Sequence, residues 1–216
     1  MRTIICNNPI NSSSTLAKWS CGKQDIIYKY ALKLSRNKKY PSSAHAIFLR
    51  LDSFGQRILF MSDKTNVVRI FESKKIKCKF YTYDSDGAIS GVEVAKQLGQ
   101  NPEKVFKTLV AVGKSGKNYV FMIPVAEELD LKKAAAAVGE KSIGMLKQKD
   151  LLPTTGYVHG GCSPVGMKKR FATVIDSSAE NFDTIIYSAG KIGFQVETSL
   201  DELGKVVAFT VGKLII

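Results

Sequence analysis

The chain has 216 residues, 44% of them hydrophobic and 24% charged, which is the composition of an ordinary folded protein with a core of normal size. No apolar run approaches the ~18 residues of a transmembrane helix. The four cysteines, at positions 6, 21, 78 and 162, form no CxxC pair, which argues against a zinc finger and a disulfide-knotted secreted fold. We therefore expect reduced thiols, a cytoplasmic location, and neither a metal nor a cofactor. The net charge of +13 favours a polyanionic partner, nucleic acid above all. The alternative interpretation is a solvated surface that is basic without binding a polyanion.

Most of this charge lies at the N-terminus. Residues 1–60 carry ten basic and two acidic groups, giving +8, whereas residues 61–216 carry 22 basic and 17 acidic groups, giving +5. A basic, Ser-containing, acid-poor segment is typical of a transit peptide or a nucleic-acid-binding tail, and it also fits a stretch upstream of a true start at Met61. We favour the last interpretation. Residues 1–60 are then a disordered or non-native extension, and residues 61–216 are the functional domain.

Regular elements are predicted from Met61 onward. Asp63 or Thr65 suits the N-cap of a first helix. The apolar side of this helix consists of Val67, Val68, Ile70 and Phe71. Residues 76–83 then alternate, which predicts a strand with a basic, aromatic outer face. A second helix is predicted from Ser90 to Gly99, and a short one begins at Pro102.

The second half of the chain is richer in strands. Apolar strands over 107–112 and 118–125 are joined by a KSGK turn. Asp130 caps a helix that Gly139 ends, and a short helix is predicted over 143–150 before a loop over 154–170. The remaining predicted elements are four strands (172–176, 184–190, 194–198 and 206–211) and a short helix (199–204).

These elements predict an α+β fold. Two consecutive strands joined by a tight turn pair antiparallel, and strands clustered late in the chain differ from a regular β-α-β alternation. We expect a single domain with one curled, mixed, mostly antiparallel sheet and flanking helices.

The loop over 154–170 is the segment most suggestive of ligand binding. It contains four glycines followed by three basic residues, namely Gly156, Gly160, Gly161, Gly166, Lys168, Lys169 and Arg170. Glycines let a backbone approach a ligand closely, and basic side chains suit phosphate. Met167 stands where a P-loop needs Lys, so a nucleotide triphosphatase fits poorly. A Gly-rich surface turn is the alternative interpretation.

Few side chains are suited to direct catalysis. Lys107 opens an otherwise apolar strand, where it is either a solvated strand end or a cation that holds a phosphate or carbonyl oxygen. His159 and Cys162 are three residues apart, but no third orienting group is evident and GxSxG is absent. An enzyme with this sequence would therefore work by positioning and backbone donors.

Residues 61–216 resemble the YbaK/EbsC-type deacylases, the free-standing relatives of the editing domain in bacterial prolyl-tRNA synthetase. The resemblance rests on several pieces in family order rather than on one motif. They are YTYDSD (81–86), VAKQLG (94–99), NPEKVFKTLV (101–110), PVAEELDLKKAAAAVGEKS (124–142), TGYVHGGCSPVGMKKR (155–170), TVID (173–176) and YSAGKIG (187–193).

This resemblance implies trans-editing, the removal of cysteine from mischarged Cys-tRNA(Pro) and, by extension, from Cys-tRNA(Cys). The substrate's own thiol attacks the ester carbonyl, so no protein nucleophile is needed. The implied partners are the tRNA acceptor end and prolyl-tRNA synthetase. Two alternatives stay open: a deacylase for another mischarged tRNA such as Ala-tRNA(Pro), and a non-catalytic module that binds tRNA or a synthetase.

The resemblance also implies roles for individual residues. Lys107 is the essential residue that orients the ester. Substrate contacts fall on Tyr83, Thr108, Gly160, Gly161, Ser163, Ser188 and Gly190. Acceptor-stem contacts fall on Lys168, Lys169 and Arg170. Three positions depart from the family pattern. Ile192 stands where many relatives have a basic residue, and Gln195 lies near a position where some have an acid; both belong to the rim of the site that meets the tRNA end. Cys162 stands where others have an aliphatic residue, which favours a packing role for it over a catalytic one.

Overall fold

The structure is a computed structural model that describes residues 64–83 and 90–216, and elsewhere only the backbone of three short strands. These strands are Ile4–Ile5 (β1), Leu49–Leu51 (β2) and Arg57–Leu59 (β3). The chain divides into two units, Met1–Asn7 with Thr65–Ile216, and Asn8–Lys64. In the smaller unit β2 and β3 pair antiparallel. The expected start at Met61, the Asp63 cap and most of the extension lie outside the described residues, so the division at residue 61 stays a prediction.

The larger unit contains five α-helices among its described residues. They are Asn66–Ser73 (α1), Gly91–Leu98 (α2), Leu131–Ala137 (α3), Gln148–Thr155 (α4) and Leu200–Gly204 (α5). Two short 3₁₀ helices cover Pro102–Lys104 and Ser177–Asn181. The further strands are Lys79–Thr82 (β4), Phe106–Gly113 (β5), Asn118–Pro124 (β6), Ile143–Met145 (β7), Ala172–Asp176 (β8), Ile185–Ser188 (β9), Phe194–Thr198 (β10) and Phe209–Gly212 (β11).

The strands of this unit form two sheets rather than the single sheet expected. One has the order β1-β4-β10-β9 and is antiparallel; the other has the order β11-β8-β6-β5-β7, in which β8 runs parallel to both β6 and β11. A parallel bridge between Val105 and Ile186 links the two sheets. Strand twist accumulates across a sheet, and large sheets relieve it by curling or splitting. The predicted α+β class with mixed sheets and flanking helices is confirmed.

Helix ends follow the local sequence signals. Thr65 Oγ1 accepts a hydrogen bond from the Val68 N–H at 3.3 Å at the start of α1. Ser90 and Glu93 form a reciprocal capping box on α2, which ends at Gly99 in the left-handed region with φ +65°. Asp130 accepts from two backbone N–H groups of α3. Because each signal is complete within a few residues, the sequence predicted these boundaries correctly.

The expected helix over residues 143–150 is wrong. Ile143–Met145 is an edge strand that pairs antiparallel with Ala111–Gly113 of β5. The helix begins later, at Gln148, includes Pro153, and ends at Gly156 with φ +87°. A segment of three residues is too short to show a helical or a strand periodicity in its sequence. Its pairing with β5, which is distant in the chain, determines that it is a strand. The Gly-rich loop accordingly begins at residue 156 rather than 154.

The principal core lies between α1, α5 and the inner faces of both sheets. Its fully buried members include Phe71 of α1, Phe106 of β5, Tyr187 of β9 and Leu203 of α5. A second cluster packs α3 against the opposite face of the larger sheet. Residues of both sheets, α1 and α5 therefore share one core.

A buried carboxylate network connects the smaller sheet to the short helix before β5. Glu197 of β10 is only 6% exposed. Its Oε1 lies 2.6 Å from Lys104 Nζ and accepts from Thr184 Oγ1 at 2.5 Å, while its Oε2 accepts from the Tyr81 hydroxyl. Burial alone would raise the pKa of Glu197, but the hydrogen bonds from Lys104, Thr184 and Tyr81 outweigh it and lower this pKa to about 2.

We expect Glu197→Ala to lower the free energy of unfolding at pH 7 by about 3 kcal/mol, because it leaves Lys104 and two hydroxyls without their acceptor. The pKa of Glu197 is lower in the folded protein than the value of about 4.3 expected in the unfolded chain, so its ionised form stabilises the fold at pH values above about 4.3. This stabilisation is lost as the pH falls toward about 2. The difference from wild type should therefore narrow between pH 7 and pH 3. Denaturant unfolding at both pH values measures it, with the exposed Glu180→Ala as control. Equal losses for the two variants would contradict the prediction.

Candidate active site

A cavity of about 440 Å³ opens where the two sheets meet. Its walls come from the first half of β5, the N-terminus of α2, the ends of β9 and β10, the segment between β7 and α4, and the Gly-rich loop. The volume lies within the usual range for small-molecule sites. Both sheets, a helix and a loop therefore contribute side chains to one cavity.

Lys107 lies on β5 in this wall, opposite Ile123 of β6. Its side chain is half-buried, and Nζ donates a hydrogen bond to the Val125 carbonyl oxygen at 3.3 Å. Burial lowers the pKa of Lys107, and the nearby Glu128 and Glu127 carboxylates partly offset this effect. A partly desolvated ammonium interacts more strongly with a carbonyl or phosphate oxygen than one in water does.

Two buried oxygen atoms of cavity-lining residues have no hydrogen-bond partner among the described residues. They are Thr108 Oγ1 on β5 and Gln195 Oε1 on β10. Buried polar atoms without partners are uncommon because each costs free energy. Their position in a cavity wall indicates that a ligand supplies the missing partners.

The Gly-rich loop packs closely on the turn between β9 and β10. Gly160 has φ +80° and lines the cavity. A Cβ at Gly161 would lie 3.1 Å from the Ile192 backbone nitrogen, and one at Gly190 (φ +87°) would lie 2.9 Å from Cε1 of Tyr157. Gly161 therefore lets the loop backbone approach the backbone of the turn, and Gly190 leaves room for the Tyr157 ring.

The structure brings together five of the residues predicted to act on substrate. Tyr83, Lys107, Thr108, Gly160 and Ser188 all line the cavity.

The other three predicted contacts do not line it. Gly161 and Gly190 pack at the loop–turn contact, and Ser163 is fully buried, with Oγ accepting from the Val165 N–H at 3.4 Å. The arrangement indicates a role in loop shape for these three, and their contact with substrate stays a prediction.

The predicted acceptor-stem residues lie outside the cavity wall. Lys168, Lys169 and Arg170 are all exposed. Lys168 Nζ lies 3.4 Å from both the Leu152 and Pro153 carbonyl oxygens at the end of α4. Lys168 therefore completes the C-terminus of a helix, whereas Lys169 and Arg170 present their charges at the surface.

Cys162 lines the cavity without being an activated nucleophile. It is 8% exposed and packs in a cluster with Val110, Val120 and Tyr157. Burial raises the pKa of the Cys162 thiol to about 12, so it stays protonated at neutral pH. This agrees with the packing role predicted from the sequence. His159 is exposed at the cavity wall.

Some cavity residues were not predicted from the sequence. Ser90 was recognised only as a helix cap, and the 143–150 segment was assigned to a helix, which concealed the contributions of Met145 and Gln148. Gln195 was placed at the rim, whereas it is buried in the wall. The alternation of residues 194–198 indicates which side chains share a face, but only the packing of both sheets shows that this face borders a cavity.

Within residues 64–83 and 90–216 no cluster of three His, Cys, Asp or Glu side chains is arranged to hold a metal ion. Nor do the helices of this part include one long and apolar enough to span a membrane.

Comparisons with known proteins identify the family. The family described as the aminoacyl-tRNA editing domain matches residues 88–206, just over half of the chain. A curated relative from Enterococcus faecalis, EbsC, is named as a candidate Cys-tRNA(Pro)/Cys-tRNA(Cys) deacylase; it is 47% identical over 135 residues, which cover 62% of this chain and 82% of EbsC.

Solved structures share the fold. One, described as a candidate trans-editing enzyme for prolyl-tRNA synthetase, has a TM-score of 0.64 at 22% identity and covers 73% of this chain and 99% of its own. A second, of a hypothetical protein, has a TM-score of 0.63 at 19% identity and covers 69% of this chain and 99% of its own.

Proposed function

This chain belongs to the aminoacyl-tRNA editing domain family, and from that premise we propose that it is a trans-editing deacylase that removes cysteine from mischarged Cys-tRNA(Pro). The observation that carries the proposal is the half-buried Lys107 ammonium in a cavity that also contains the unpaired Thr108 hydroxyl. Together they offer a donor for the ester carbonyl and a polar partner for the rest of the aminoacyl group.

The chemistry fits a reaction whose nucleophile comes from the substrate. Of the cavity-lining residues, Cys162 is the strongest intrinsic nucleophile, and its raised pKa keeps it protonated. The cysteine thiol of the substrate would instead attack its own ester carbonyl. A C–S bond forms, the C–O bond to the ribose breaks, and the thiol proton passes to the ribose oxygen, which leaves as the tRNA hydroxyl. Water then hydrolyses the four-membered thiolactone to cysteine.

Lys107 would stabilise the negative charge that develops on the carbonyl oxygen during attack and would orient the ester. The cavity walls hold the short aminoacyl group in the bent conformer that brings sulfur to carbon. Selectivity for cysteine follows, because an alanine or proline ester has no thiol to attack with.

The proposed partners are the tRNA acceptor end and prolyl-tRNA synthetase, and the proposed site of action is the cytoplasm, where aminoacyl-tRNA is used. Residues 61–216 carry a charge of only +5, which favours modest tRNA binding by this region alone. A synthetase that already holds tRNA(Pro) would supply the remaining affinity and the choice of tRNA.

The proposal is tested by incubating the full chain with Cys-tRNA(Pro) and following the bound cysteine. Release should be proportional to protein concentration and faster than in buffer. If the folded protein binds tRNA and releases no cysteine, it is a binding module rather than a deacylase.

We expect the double variant Lys169→Ala/Arg170→Ala to weaken tRNA binding and to flatten its salt dependence. Each lost phosphate contact should reduce the slope of log K against log salt by roughly 0.7–0.9. Lys168 is retained because it contacts the end of α4. Titrations of tRNA at several salt concentrations measure the slope. The exposed hairpin residues Lys114 and Lys117, both changed to Ala, form the control, and an equal slope change there would contradict a specific contact.

A further inference from the structure

Gln195 lies in the cavity wall with a side-chain oxygen that lacks a hydrogen-bond donor among the described residues. On β10 it stands opposite Ser188 of β9 and Tyr81 of β4, so the three side chains share one face of the smaller sheet. Gln195 is 6% exposed, lines the cavity, and keeps its Oε1 buried and without a partner among the described residues.

Of the other polar groups on this face of the sheet and in the cavity wall, three have partners, whereas the Thr108 hydroxyl has none among the described residues. The Tyr81 hydroxyl donates to Glu197, the Ser188 hydroxyl oxygen accepts from the Gly190 N–H at 3.3 Å, and the Lys107 ammonium donates to the Val125 carbonyl. A buried carbonyl oxygen left unpaired costs free energy that a ligand donor would recover.

We propose that Gln195 Oε1 accepts a hydrogen bond from the α-ammonium group of the substrate's aminoacyl moiety, which makes Gln195 a specificity-determining residue of the editing site. This inference rests on the proposed deacylase function. It assigns two residues of the cavity wall complementary tasks: Lys107 binds the acceptor atoms of the ester, and Gln195 binds its principal donor.

The α-ammonium group is the donor that the site fits best. An aminoacyl ester offers three donors to the wall: the ammonium group, the thiol and the ribose hydroxyl. The thiol is a weak donor and must face the ester carbon to react, and the ribose hydroxyl lies on the leaving side. The charged ammonium makes hydrogen bonds roughly twice as strong as neutral donors do, and a neutral amide oxygen accepts one without burying a second charge.

This contact would also orient the reaction. Holding the α-nitrogen at Gln195 while the carbonyl oxygen rests at Lys107 restricts rotation about the bond between Cα and the ester carbon. The thiol then lies on a defined side of the carbonyl, as attack requires. The loss of Gln195 should therefore affect esters that carry an α-amino group and spare esters that lack one.

The test compares two esters of the same tRNA, Cys-tRNA(Pro) and tRNA(Pro) carrying a 3-mercaptopropionyl group, which keeps the thiol and lacks the α-amino group. Wild type, Gln195→Met and Gln195→Glu are assayed for kcat/KM, each rate corrected for spontaneous hydrolysis. Gln195→Met should slow release of cysteine about tenfold to hundredfold and change release of the mercaptopropionyl group by less than about threefold. Gln195→Glu keeps the acceptor, so it should retain cysteine release and discriminate more strongly than wild type against the ester that lacks the ammonium.

Equal slowing of both esters by Gln195→Met would overturn the inference, since the residue would then act without regard to the α-amino group. Loss of cysteine release in a folded Gln195→Glu variant would also overturn it, because the missing atom would be the amide donor. Thermal unfolding of each variant identifies a misfolded protein, and the Glu variant remains decisive if the Met variant does not fold. Failure of the proposed function itself looks different: wild type would then release neither group.

Discussion

Alanine attached to tRNA(Pro) should remain attached in the presence of this protein while cysteine on the same tRNA is released. The cavity supplies an ammonium group, Lys107, and its buried cysteine is protonated, so in the mechanism that we propose the nucleophile is the substrate's own thiol. An intramolecular thiol held against its ester gains about 7–11 kcal/mol from effective molarity, and alanine gains none of it. The measurement is the first-order rate of amino-acid loss from the two charged tRNAs at equal protein concentration.

An S-methylcysteine ester is the control for the thiol proton, because it keeps the sulfur, adds one methyl group and loses the S–H. It should be as stable as the alanine ester. Rapid loss of alanine or S-methylcysteine would contradict thiol attack and would favour water as the nucleophile, which is the chemistry of a deacylase for another mischarged tRNA.

Lys107→Ala should lower kcat/KM for Cys-tRNA(Pro) by about 10²- to 10³-fold. The side chain is half-buried in the cavity wall, where we propose that its ammonium group stabilises the reacting carbonyl oxygen. Removal of one such donor costs about this much in other acyl-transfer sites. The substitution removes one hydrogen bond to the Val125 carbonyl oxygen, which costs stability. It also removes a partly buried cation whose pKa is lowered by burial, which regains stability, so the free energy of unfolding should change little. Deacylation kinetics and a thermal unfolding transition together separate the two effects.

The control is Lys114→Ala, at the far end of the same hairpin, which removes the same charge outside the cavity wall. It should leave the rate unchanged. A Lys107→Ala protein that folds and deacylates at the wild-type rate would contradict the assignment of Lys107 to the reaction and would remove the main support for the proposed site.

The sequence by itself determined the features that depend on neighbouring residues. The caps at Thr65, Ser90 and Asp130, the hairpin of β5 and β6, and the strands of the C-terminal half are all encoded within windows of about ten residues. The assembled motifs also sufficed to identify the family, and five of the eight residues predicted to act on substrate line one cavity. These features depend on local hydrogen bonding and on hydrophobic periodicity, so they can be predicted without knowledge of the tertiary structure.

Only the tertiary structure decided the features that depend on residues far apart in the chain. Residues 143–145 are a strand because β5 offers them an edge, and Glu197 is held ionised by Lys104, which lies 93 positions earlier. Gln195 is buried rather than at the rim because the two sheets meet beside it. A side chain's burial, its pKa and its partners are set by what packs against it. That packing follows from strand pairing over long separations, which no local pattern specifies.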